Sequence, residues 1–176
     1  MGLALVSVLM YAGTLSFTAI VARQNHIWNI VPMFPAFLVY AIASLAETNR
    51  PPFDLAEAET ELVAGYHTEY SSMKFAMFFM SEYIAMTTMS ALIVTLFFGG
   101  WDFPWINEPP TFAGFLLSAV AFLAKVGFVL FVFVWVRWTI PRLKYDILMR
   151  AGWKVFLPLA VVNIVLVAWF IAERWI

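Results

Sequence analysis

Five long apolar runs, separated by polar or charged connections, set the limits on what this chain can become. They cover about residues 3–21, 30–46, 72–98, 112–136 and 155–171. A helix needs about 20 apolar residues to cross roughly 30 Å of hydrocarbon, so each run is long enough, or nearly so, to span a bilayer. In the first, Thr14, Ser16 and Thr18 are tolerable because hydroxyls bond back to helix carbonyls. The second begins at Pro32 and Pro35, which makes it short and kinked at that end. The fifth carries Pro158 in its first turn, where proline costs little. The chain is 64% hydrophobic and 12% charged, far from the balance of a soluble domain. The expectation is an all-α, polytopic membrane helix bundle. Residues 1–176 form one membrane domain with five transmembrane helices and two charged connections carrying short helices.

Several function classes drop out. A net charge of −1 gives no electrostatic footprint for nucleic acid. No cysteine is present to ligate an iron–sulfur cluster. The two histidines, His26 and His67, fall in different connections, which disfavours a bis-histidine haem or histidine-rich metal site. No glycine-rich nucleotide fingerprint is visible. The start, Met1-Gly2 and then apolar residues, lacks the basic region of a cleavable signal peptide.

Residues 47–70, ETNRPPFDLAEAETELVAGYHTEY, are the one strongly acidic connection. Glu47, Asp54, Glu57, Glu59, Glu61 and Glu69 face a single cation, Arg50. Pro51-Pro52 blocks a helix and holds Arg50 extended. Asp54 then caps a new helix, with Glu57 in capping-box position and Gly65 at its exit. On that helix Asp54, Glu57 and Glu61 share a face, while Glu59 lies among Leu55, Leu62 and Val63. Like charges this close titrate as a coupled set, which suits proton uptake and release. Acidic residues that merely complement a helix dipole are the plainer reading of Asp54 and Glu57.

Arg50, Lys74, Arg137, Arg142, Lys144, Arg150 and Lys154 flank the connections after the second and fourth spans, against Arg23 and Arg174 on the other side. The positive-inside rule places connections 47–72 and 137–154 on the cytoplasmic or matrix side. In the second of these, Thr139 and Pro141 start a short helix and Gly152 ends it. Leu143, Ile147 and Leu148 alternate with basic groups, as in an interfacial anchor for anionic headgroups. Glu82 and Lys125 lie inside spans, both roughly 15–18 Å deep at 1.5 Å per residue. Opposite charges at one depth on consecutive antiparallel helices point to a buried pair, either functional or purely structural.

The acidic stretch continued through SSMKFA, with FFMSEY, LFFGGW and WVRWTIPRLKYDILMRAGWKVFLPL, closely resembles the quinone-site membrane subunit of respiratory complex I, over nearly the whole chain and in family order. Ala56 stands where bacterial members usually have proline. The resemblance implies the C-terminal portion of a subunit about twice as long, with a separate chain or a missing segment supplying the N-terminal helices. It implies a proton-translocating NADH–quinone oxidoreductase, not catalytic on this chain alone, in a bacterial inner or mitochondrial inner membrane. By resemblance, Arg50, Phe53, Asp54, Arg137, Arg142, Tyr145 and Asp146 frame the quinone cavity and its interface with the peripheral arm. Glu47, Asp54, Glu57, Glu59, Glu61, Glu69, Glu82 and Lys125 couple quinone reduction to proton movement. Quinone is the substrate; this chain holds no cofactor or metal, and FMN and iron–sulfur clusters belong to partner subunits. A related hydrogenase anchor and a stand-alone ion transporter are the alternatives. The intact FDLAEAETELVAG run disfavours the first, and the lack of an internal repeat weakens the second.

Overall fold

A computed structural model describes residues 1–48, 53, 73–102, 112–141 and 145–173. All regular structure among them is helical: α1 (Gly2–Ala12), α2 (Phe17–Arg23), α3 (Phe34–Glu47), α4 (Met73–Phe97), α5 (Phe112–Thr139), α6 (Tyr145–Ala151) and α7 (Leu157–Ala172). A π-helical turn, Gly152–Phe156, joins the last two.

The expected single first span is broken. α1 stops at Gly13, whose φ of 65° is left-handed, and the Gly13 amide returns to the Leu9 carbonyl at 2.9 Å. Glycine takes this conformation without a Cβ penalty. Thr14 then accepts the Ser16 amide at 3.1 Å, and the Ser16 and Thr18 hydroxyls share a 2.8 Å bond. α2 leaves at 64° to α1. Arg23 reaches back and donates to the Ala12 carbonyl at 2.9 Å, over the Tyr11 ring. It thereby satisfies one of the carbonyls that a helix end leaves without an intrahelical partner.

The last connection also differs from the expectation. Gly152 does not end a helix; the chain runs helically from Tyr145 to Ala172, 28 residues. The Leu157 amide bonds to the Gly152 carbonyl, five residues back. The cause lies one residue on. Pro158 has no amide, and its ring crowds the carbonyl four residues earlier, at Lys154. A turn widened by one residue accommodates that ring without breaking the rod. Gly152 is not among the left-handed glycines, so nothing there turns the chain aside.

α4, α5 and the Tyr145–Ala172 rod are each long and apolar enough to cross a membrane, and the bent α1–α2 pair makes a fourth candidate. α3, at 14 residues, is shorter. α1 packs on α7 and α3, α3 on α4 and α7, and α4 on α5 and α2. The packed stripes have helical spacing: Ala4, Val8 and Ala12 on α1; Met86, Ser90, Ile93, Val94 and Phe97 on α4; Ala160, Asn163 and Val167 on α7. Opposite faces, such as Phe115, Leu123 and Phe131 of α5, turn outward. Ser7, Ser90, Thr87 and Thr88 each donate to a carbonyl of their own helix, which satisfies the hydroxyl without water.

The bundle therefore has two distinct ends. The charged end carries Met1, Glu47, Met73, Thr139 and Tyr145. The glycine end carries the 24–33 turn, Gly99, Gly100 and Ala172.

Candidate functional sites at the two ends of the bundle

At the charged end, Glu47 is exposed at the last position of α3, while the following Thr48 is buried and bonds back to Leu45 at 3.0 Å. Phe53 is half-buried and packs against the core. It lines an apolar cavity of about 300 Å³ between α1, α3 and the π turn, together with Leu3, Ala43, Ala46, Gly152, Phe156 and Ala160. Reading along the sequence does not reveal this cavity. Its only signals are small residues, Ala43 and Ala46 on α3 and Ala160 on α7, facing one another across helices that packing alone makes neighbours.

A second cavity of about 190 Å³ lies between α3, α4 and α5. Leu45, Tyr83, Met86, Phe133, Arg137 and Trp138 line it. The Arg137 guanidinium sits 6.0 Å from the Trp138 ring centre, within cation–π reach. Tyr83 is the neighbour of Glu82, so Arg137 and the half-buried Glu82 segment come together at this end. Tyr145 and Asp146 are exposed in the first turn of α6, where Asp146 complements the helix dipole. Arg50, Asp54, Glu57, Glu59, Glu61, Glu69 and Arg142 lie outside the described residues.

Lys125 corrects an expectation. Its ammonium donates to the carbonyls of Phe98, Gly100 and Asp102 at 3.0, 3.0 and 2.6 Å, at the glycine end. Glu82 lies sixteen residues back from Phe98 along α4, about 24 Å at 1.5 Å per residue. The direct pair with Glu82 is therefore not formed. Equal depths would require α4 and α5 to start flush. Instead Met86 and Tyr83 line one cavity with Phe133, Val134 and Arg137, and Lys125 bonds to Phe98, which leaves Glu82 near the last turn of α5.

Around Lys125 the glycine end is densely hydrogen-bonded. Gln24, 2% exposed, donates to the Thr95 and Ile20 carbonyls and accepts the amides of Asn29 and Gly99. Asn29 donates to the Leu96 carbonyl at 2.9 Å. Gly99 and Gly100 both have positive φ. A Cβ on Gly99 would meet the Trp28 indole at 2.9 Å, and one on Gly100 would meet Val21 at 2.7 Å. Among the described residues, no group of three or more His, Cys, Asp or Glu is placed to hold a metal ion.

Bilayer-length helices with apolar faces turned outward define a polytopic helical membrane protein. Residues 1–168 match the family described as NADH dehydrogenase, and the chain belongs to that family. It is similar to the H subunit of the NADH-quinone oxidoreductase of Paraburkholderia xenovorans (strain LB400), at 48% identity over 182 residues. The match covers 97% of this chain and 50% of that protein, so the chain spans about half the length of the curated relative.

Proposed function

We propose that this chain is part of the membrane subunit of a proton-translocating NADH–quinone oxidoreductase. There it helps form the quinone cavity and couples quinone reduction to proton translocation. The observation that carries this reading is the 48% identity, across nearly the whole chain, with a protein named as a subunit of that enzyme. That likeness favours the quinone enzyme over a hydrogenase anchor or a lone transporter.

The apolar cavity beside Phe53 is lined by Ala43 and Ala46 of α3, whose last residue is Glu47, so a lipophilic tail held there would have that carboxylate as a neighbour. Arg50, Phe53, Asp54, Arg137, Arg142, Tyr145 and Asp146 are the cavity and interface residues in this reading. Glu47, Asp54, Glu57, Glu59, Glu61, Glu69 and Glu82 form the coupling set. Lys125 belongs to that set as well, held at the opposite end of the bundle and not paired directly with Glu82. The bent α1–α2 pair and the short α3 complete five crossings with α4, α5 and the Tyr145–Ala172 rod. The two charged connections, 47–72 and 137–154, face the cytoplasm or matrix by the positive-inside rule. Other membrane-arm and peripheral-arm subunits are its partners, and the FMN and iron–sulfur clusters belong to partner subunits.

The test replaces Glu59 and Glu61 by Gln in the assembled enzyme. Quinone-dependent NADH oxidation should fall, while oxidation by an artificial acceptor that bypasses the quinone site should survive. Two normal activities would reduce these carboxylates to caps and solvated surface.

A further inference from the structure

We propose that the carbonyl cage at the glycine end is a monovalent-cation site of the ammonium and potassium class, filled in the native chain by the ammonium of Lys125. This inference is independent of the quinone reading.

Three main-chain oxygens, from Phe98, Gly100 and Asp102, converge on one centre at 2.6–3.0 Å. That spacing suits hydrogen bonds from a bare ammonium. It also resembles filters in which rings of carbonyls replace the hydration shell of potassium. Magnesium takes oxygens at about 2.0–2.1 Å, well short of all three distances, and calcium at about 2.3–2.6 Å, which only the Asp102 oxygen reaches. The field has the right sign. The oxygens lie at the C-terminal end of α4, the negative end of its dipole. The Trp28 ring centre is 5.3 Å from the ammonium nitrogen and adds its negative face.

The turn that carries these oxygens has anchors besides Lys125, which separates a built site from a lysine that merely finds oxygens. The turn is held by bonds the lysine does not make. The Gly100 amide goes to Val94 at 3.0 Å, and the Asp102 amide to Gly99 at 3.0 Å. The Ile30 amide goes to Phe97 at 3.1 Å, and Gln24 accepts the Gly99 amide at 3.0 Å. Positive φ at Gly99 and Gly100 shapes the turn that carries these carbonyls. With the cation deleted, these bonds still anchor the turn that carries the carbonyls. The carbonyls gain from another cation of the same size.

The experiment is Lys125→Ala in the full assembly in detergent. The temperature at which half of this chain leaves the soluble fraction is read in choline, lithium, potassium or methylammonium chloride at equal ionic strength. In choline the variant should lose about 5 °C against the native chain. Methylammonium or potassium should restore at least half of that loss, saturably, while lithium does not and the native chain responds to none of them. Should the variant fail to accumulate, its yield is compared in cells supplied with methylammonium or choline. Higher yield with methylammonium supports the site. No loss in choline, or a loss or poor yield that neither potassium nor methylammonium repairs beyond choline, overturns it.

Discussion

The Gln24 carboxamide oxygen accepts the amide of Gly99 at 3.0 Å, across 75 residues of sequence. The same side chain donates to Thr95 at 3.1 Å and accepts the Asn29 amide at 3.2 Å. One buried amide group thus ties the exit of α2 to the exit of α4. Gln24→Leu would leave two amides and two carbonyls short of a partner. Stranded buried groups cost about 1–3 kcal/mol each, less whatever they recover by relaxation, so a loss of about 3 kcal/mol is expected. Gln24→Glu should be no better, since a carboxylate cannot donate to Thr95 or Ile20. Thermal midpoints of both variants in detergent check this; a shift below one degree for Gln24→Leu would refute it.

Two glycines should respond in opposite ways to alanine. At Gly100 the φ is +55° and a Cβ would lie 2.7 Å from Val21. Gly100→Ala should cost about 1–3 kcal/mol, and adding Val21→Ala should recover only the steric part. Gly152 is helical and a Cβ there meets nothing within 4 Å. Gly152→Ala should be neutral or stabilising by up to about 1 kcal/mol. Comparable losses at both sites would contradict the geometry.

Asn163 is 7% exposed on α7, in the interface toward α1 and α3, and its Nδ2 has no hydrogen-bond partner among the described residues. A buried unsatisfied donor carries a desolvation cost that an apolar residue of similar size does not. Asn163→Leu should raise stability by about 1 kcal/mol, seen as a higher thermal midpoint. A lower midpoint would show that the amide does structural work.

Ala46 lines the cavity beside Phe53. Ala46→Phe would fill part of its volume with an aromatic ring. If quinone uses this space, quinone-dependent NADH oxidation should drop about tenfold, about 1.4 kcal/mol in barrier. Artificial-acceptor oxidation should not change. An unaltered KM and rate for quinone would separate this cavity from the substrate path.

The long spans are legible because hydropathy is a local sum. The apolar pattern predicts helices over 72–98 and 112–136, and Met73–Phe97 and Phe112–Thr139 are observed. The break in the first run is also written locally, as Gly13 followed by Thr14 and Ser16. An average over a whole apolar run hides a left-handed glycine, so hydropathy shows no bend there. At Gly152 the reverse holds. Glycine signals a stop only where the chain turns left-handed, and the π turn ahead of Pro158 keeps the rod going.

The sequence by itself determined the class of chain, its apolar rods and the acidic connection that carries the family likeness. Those properties follow from composition and from spacing along one strand of chain. Tertiary structure decided what those features meet: the cavity behind Phe53, the company of Arg137, and above all the partner of Lys125. The sliding register of α4 against α5 sets that partner, and no local pattern encodes it. A lysine inside an apolar helix calls for oxygen ligands, but only packing chose three carbonyls of a glycine turn over the carboxylate of Glu82.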